Sequence, residues 1–137
     1  MDDKEYYLNI AKAVAQKSTC YYFKEGSILV NKEGRIISSG YNGAVHGVID
    51  CKKEGYCPYE AEMGCATDKS QEKCMGLHAE LNALLGIKHE DTEGSTLYIY
   101  CEDRETGKVI VPVIEGVSSK VIQSCNIKEV VIEGTDI

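Results

Sequence analysis

Apolar residues recur along the chain first at helical and then at strand spacing. Tyr7, Ile10, Ala11, Val14 and Ala15, with Ser18, follow the i, i+3, i+4, i+7 rhythm of one helical face. That predicts an amphipathic helix over residues 4–18, with Asp2 or Asp3 as its cap. Ser27–Val30 and Arg35–Ser39 are short apolar runs flanking Asn31-Lys32-Glu33-Gly34, a turn signal, so they predict a β-hairpin. Residues 42–76 lack periodicity and are rich in Gly, Cys, Lys and Glu, which predicts a long loop. A stretch of that length inside a compact domain calls for something to pin it or a function to retain it. A second helix should follow, with Leu77, Leu81, Leu84 and Leu85 on one face. Beyond it lie a strand at Thr96–Tyr100, a turn at Asp103–Gly107, and a short strand or extended arm at Val109–Val111 ended by Pro112. Residues 115–125 predict a third helix, with Val117, Val121 and Ile122 on its apolar side, and Val130–Ile132 a last strand. The order α-ββ-α-β-α-β implies a three-layer α/β/α fold: a mixed central sheet of about five strands with helices on both faces.

Composition narrows the function classes. At 137 residues the chain suits one domain, 1–137, and its 43% hydrophobic content is enough for a core. No apolar run is long enough to span a membrane. The N-terminus, Met1–Glu5, is acidic where a secretory leader would be basic and then apolar, so a cytoplasmic protein is expected. A net charge of −7 argues against a nucleic-acid partner and for a small molecule. Seven cysteines, an odd count without a secretion signal, point to metal binding rather than a disulfide framework; Cys20, Cys51, Cys57, Cys65 and Cys74 fall together, apart from Cys101 and Cys125.

The triplet His78-Ala79-Glu80 opens the second helix. A His nitrogen can hold a metal that acidifies a bound water, and a Glu two residues on can move the proton. Alone, the triplet is equally an ordinary helix start whose acid favours the N-terminal dipole. Its surroundings decide. Ser18-Thr19-Cys20 followed by Gly26–Val30, the loop Gly40-Tyr41-Asn42-Gly43-Ala44, the cysteine-bearing segment of about 42–76, the helix His78–Leu84, the strand Ser95–Tyr98 and Asn126–Val131 occur in order. Together they resemble the cytidine and deoxycytidylate (dCMP) deaminase family. The resemblance implies a cytidine-deaminase-like fold and hydrolytic deamination of a cytosine nucleotide. It also implies that His78 is a zinc ligand, Glu80 the proton carrier, and Asn42 a sugar contact in a pocket with Gly26, Ser27 and Lys24.

One departure is plain from the residues. Where the family carries Pro-Cys-x-x-Cys, this chain reads Ile114-Glu115-Gly116-Val117-Ser118, and no Cys-x-x-Cys occurs downstream of His78. Zinc lowers the pKa of bound water from roughly 16 to roughly 7, worth on the order of 12 kcal/mol toward hydroxide at neutral pH. A lone Glu80 cannot replace that. Glu115 and Ser118 keep an i, i+3 spacing, a carboxylate can bind zinc where a neutral Ser cannot do so well, and Cys101 follows the third strand, so His78, Cys101 and Glu115 form a conceivable substitute set. Either such a set seats the metal, or the chain is a nucleotide-binding or regulatory module that keeps the fold without the chemistry.

In family relatives an equivalent of Cys20 shares a structural metal with loop cysteines, so a structural zinc on four of Cys20, Cys51, Cys57, Cys65 and Cys74 is expected, with the choice of four open. Relatives often carry arginines after the Thr-Cys pair. Here Tyr21-Tyr22-Phe23-Lys24 leaves only Lys24 charged, with Lys52, Lys53 and Lys88 as other cations for a phosphate. The family's habit implies a homo-oligomer.

Overall fold

The computed structural model describes residues 1–18, 23–44, 76–77, 79–112, 114 and 116–135. The elements are α1 (Asp3–Ala15), β1 (Phe23–Val30), β2 (Ile36–Tyr41), β3 (Gly43–Ala44), β4 (Gly76–Leu77), α2 (Ala79–Leu84), α3 (His89–Thr92), β5 (Thr96–Asp103), α4 (Gly116–Ser124) and β6 (Glu129–Ile132).

Helix α1 starts where its cap chemistry dictates. The Asp2 carboxylate accepts the Glu5 N–H at 2.8 Å, and Asp3 and Glu5 supply acid to the first turn. Its buried face centres on Leu8, Ala11 and Ala15, one position round from the predicted stripe, with Tyr7, Ile10 and Val14 half-buried at the flanks. The β1–β2 hairpin turns on Asn31, whose side-chain oxygen accepts the N–H groups of Glu33 and Arg35.

The main sheet has four strands in the order β2-β1-β5-β6. β1 is antiparallel to both β2 and β5, and β6 is parallel to β5. The expected mixed sheet is present, with four strands among the described residues where about five were expected. Val109 makes only an isolated bridge to Glu102, and the 109–111 run is an arm. The reason is room: β6 already occupies that flank of β5 as far as Ile99, leaving only Cys101–Asp103 for the arm to pair with. β1 begins at Phe23 and β5 runs to Asp103, both longer than their apolar runs predicted, because the polar residues Lys24, Glu25 and Glu102 sit in the ladder.

Helices cover both faces, as the element order implied. α1 lies on one, where Ala11 and Ala15 cluster with Tyr100. Its approach is so close that a Cβ on Gly26 would lie 2.3 Å from the Ala11 carbonyl oxygen. On the other face Leu29, Leu97 and Ile99 pack with Ala83 and Leu84 of α2, and Ile114, Val121 and Ile122 close the cluster from α4 and its approach. Leu85, predicted on the apolar face of α2, is 60% exposed, because the helix ends at Leu84. Leu77 belongs to β4 rather than to the helix. β3 and β4 pair antiparallel, Gly43 with Leu77 and Ala44 with Gly76, so the two ends of the predicted long loop are tied by backbone bonds.

Candidate functional site

Several element ends meet at one corner of the main sheet. Phe23 at the start of β1 pairs with Asp103 at the end of β5, and Gly26 pairs with Tyr41 at the end of β2. The head of α2 rests on the same corner. Alternation along the strands then sorts the side chains by face. Glu25, Ser27 and Leu29 of β1, and Leu97, Ile99 and Cys101 of β5, lie on the α2 side; Lys24, Gly26, Tyr100 and Glu102 lie on the α1 side.

The six-residue α2 is too short to be stable by propensity alone. Strand side chains hold it. The Glu25 carboxylate accepts the Ala79 N–H at 2.9 Å, and the Ser27 hydroxyl donates to the Ala79 carbonyl at 2.8 Å. The Ser38 hydroxyl donates to the Ala83 carbonyl, and the Asn82 amide donates to the Tyr41 carbonyl at 2.7 Å. Gly40 lets the helix backbone settle directly on β2. Glu80, next after the gripped Ala79, is 3% exposed.

Asn42 closes the corner. Its side-chain oxygen accepts the Glu25 N–H at 2.9 Å, its amide donates to the Phe23 carbonyl at 3.1 Å, and its own N–H donates to the Glu25 carbonyl at 3.1 Å. A carboxamide has two donors and two acceptor lone pairs, so one further donation remains for a ligand. Cys101 is a buried cysteine in register with Glu25, on the same face.

Not every expected site residue gathers here. Ser27 is committed to Ala79. Gly26 faces α1, where it makes room for that helix. Lys24 is also on the α1 side, where its ammonium donates to the Gln16 side-chain oxygen at 3.0 Å, and Gln16 donates on to Glu102. Tyr100 lies beside that cluster, its hydroxyl pushed up to about 12 by burial and then by the Glu102 carboxylate. His78, Glu115, Cys20, Cys51, Cys57, Cys65 and Cys74 lie outside the described residues. Sequence reasoning missed Glu25. Its signal was a lone acid two residues before a continuous apolar strand, in a stretch read as preceding the strand.

The donor chemistry can be set against a catalytic zinc. Of the substitute set, Cys101 alone is described, and no group of three or more His, Cys, Asp or Glu able to hold a metal occurs among the described residues.

Known proteins are similar to this chain throughout its length. The model of the cytidine and deoxycytidylate deaminase zinc-binding region matches residues 1–133. A deoxycytidylate deaminase of Mycobacterium phage D29 is 40% identical over 102 residues, covering 72% of this chain and 77% of the phage protein. A Schizosaccharomyces pombe deoxycytidylate deaminase is 35% identical over 97 residues, 71% of this chain but only 29% of the yeast protein. Among solved structures, the dCMP deaminase of cyanophage S-TIM5 in complex with dCMP and dUMP superposes with a TM-score of 0.61 at 27% identity, covering 96% of this chain and 82% of that one. The gripped helix carrying Glu80, the Asn42 corner and these matches lead to one conclusion: this chain belongs to the cytidine and deoxycytidylate deaminase family.

Proposed function

We propose that this protein is a dCMP-deaminase-like hydrolase of a cytosine (deoxy)nucleotide, formed by a single domain over 1–137 with a cysteine-rich insertion at about 42–76. The observation that carries the reading is Glu80, kept as an acid and buried at the head of a helix that strand side chains hold in place. A buried carboxylate is costly and is retained where chemistry needs it. In the reaction, water adds its oxygen to C4 of cytosine, the bond from C4 to the exocyclic nitrogen breaks, and ammonia leaves. Glu80 takes a proton from the water and delivers it to the departing nitrogen, and the water's second proton ends on ring N3 of the uracil product. Asn42, whose second amide hydrogen is left over after its bond to Phe23, would donate it to a sugar hydroxyl.

In this reading His78 holds the metal, with Cys101 and Glu115 as candidate partners in place of the family's thiolate pair; a structural zinc on four of Cys20, Cys51, Cys57, Cys65 and Cys74 is a separate part of the proposal. The ligand is a small nucleotide rather than nucleic acid, in keeping with the net charge of −7. No helix among the described residues is long and apolar enough to cross a membrane. The proposal extends to a cytoplasmic homo-oligomer.

The missing Cys-x-x-Cys favours a second reading, a nucleotide-binding or regulatory module on the same fold. Two measurements separate them. An ultraviolet assay with dCMP, dCTP and cytidine should show conversion for the hydrolase; measurable binding with no conversion selects the module. Metal analysis of the purified protein and of His78→Ala should show loss of one metal equivalent if His78 is a ligand. Unchanged content removes it from the set.

A further inference from the structure

We propose that Glu25 is a positioning residue for Glu80, acting through Ala79. The inference rests on the hydrolase reading and deepens it. Ala79 is the residue between the expected metal ligand and the proton carrier, and both of its backbone polar atoms are taken by β1. Its N–H, on the peptide shared with His78, goes to the Glu25 carboxylate at 2.9 Å. Its carbonyl, on the peptide shared with Glu80, accepts from the Ser27 hydroxyl at 2.8 Å. Two residues one strand-period apart thus fix the peptides on both sides of Ala79, and with them the backbone from which the Glu80 side chain departs.

Glu25 is itself fixed. Asn42 engages its N–H and its carbonyl, so the carboxylate is mounted on a backbone tied to the end of β2. The side chain is 4% exposed, and a buried ion is expensive unless its hydrogen bonds repay the lost hydration. A carboxylate that accepts in its ionised form makes a bond roughly twice the strength of a neutral one. That suits a hold whose purpose is to place the next residue.

The test reads the Ala79 amide directly, by hydrogen exchange and chemical shift in ¹⁵N-labelled full-length protein, with Ala83 and Ile99 as internal standards for helix and sheet. Glu25→Ala should speed exchange at Ala79 by roughly tenfold or more while leaving Ile99 unchanged. Glu25→Gln keeps an acceptor oxygen, so it should hold exchange within about threefold and move the Ala79 proton shift as the charge is lost. An Ala79 amide whose exchange is unmoved by Glu25→Ala, or whose shift is unmoved by Glu25→Gln, overturns the proposal. If Glu25→Ala fails to fold, the Glu25→Gln shift decides. In wild-type protein that turns over cytosine nucleotide, Glu25→Ala should lower kcat by roughly tenfold or more with KM within about threefold, and Glu25→Gln should restore most of it. A change in KM alone also overturns the proposal. Wild-type protein without turnover would remove the hydrolase reading, and the amide measurements would still judge Glu25.

Discussion

Replacing Gly40 by Ala would add one methyl group where the structure has no room for it. A Cβ at this position would lie 2.3 Å from the Ala83 nitrogen, 2.6 Å from the Ala79 carbonyl oxygen and 2.8 Å from the Asn82 carbonyl carbon. Heavy atoms settle at roughly 3.5–4.0 Å. All three neighbours are backbone, so no rotamer change relieves the overlap. Helix α2 would have to retreat by about 1 Å, loosening Ala83 and Leu84 from Leu29, Leu97 and Ile99. Overpacking typically costs 1–3 kcal/mol, and with a rigid neighbour the cost should lie near about 3 kcal/mol. In a domain of this size each kcal/mol moves Tm by roughly 3–5 °C, so a fall of about 10–15 °C is expected by circular dichroism melting. Gly34→Ala is the control. Gly34 has a positive φ of 84° and nothing within 4 Å of an added Cβ, so only left-handed strain of about 1 kcal/mol applies. A Gly40→Ala melt that falls no further than the Gly34→Ala melt would refute the close approach of α2 to β2. Any cytosine-nucleotide turnover in Gly40→Ala should fall as well, because the helix that moves carries Glu80.

Glu80→Gln should leave the melting temperature nearly unchanged and lower any cytosine-nucleotide turnover by roughly 10²–10⁴-fold in the ultraviolet assay, the usual worth of a positioned acid–base group. Asn42→Ala removes two side-chain hydrogen bonds at the β1–β2 corner; at about 1 kcal/mol net each, urea unfolding should show a loss of about 2 kcal/mol, and a loss under about 0.5 kcal/mol would contradict the clamp. Tyr100 titrates near about 12 in the folded protein, above the unfolded value of roughly 10, so folding favours its protonated form. Its contribution is intact below pH of about 10 and is lost as pH rises from there toward about 12. Urea midpoints from pH 9 to 11 should therefore fall more steeply in wild-type protein than in Tyr100→Phe.

The sequence disclosed the fold well and the site in part. Apolar periodicity located α1, the hairpin, β5, α4 and β6, because those elements bury one face and the pattern records it. It misjudged the lengths of β1 and β5, because Glu25 and Glu102 are paired by backbone bonds that do not depend on side-chain polarity. It assigned Leu77 and Leu85 to the wrong side of the helix ends, since a six-residue helix offers fewer than two turns from which to read a phase. At the site, Glu80 and Asn42 were legible through the family motif, and the structure places them near one corner of the sheet. Lys24 and Gly26 were legible only as members of a segment. Strand alternation, which a motif does not state, sends both toward α1. Glu25 was illegible because its role depends on a contact 54 residues away in the chain.

The small β3–β4 ladder has a bearing on how this chain could diversify. Ala44 and Gly76 are register partners, so the two points that bracket residues 45–75 are adjacent in space. The entropy of closing an excursion between such points grows only as the logarithm of its length, about 0.6 kcal/mol per doubling. Whatever is housed between residues 45 and 75 can be lengthened, shortened or exchanged at little thermodynamic expense to the sheet, which makes this doorway the natural place for new recognition chemistry to be fitted.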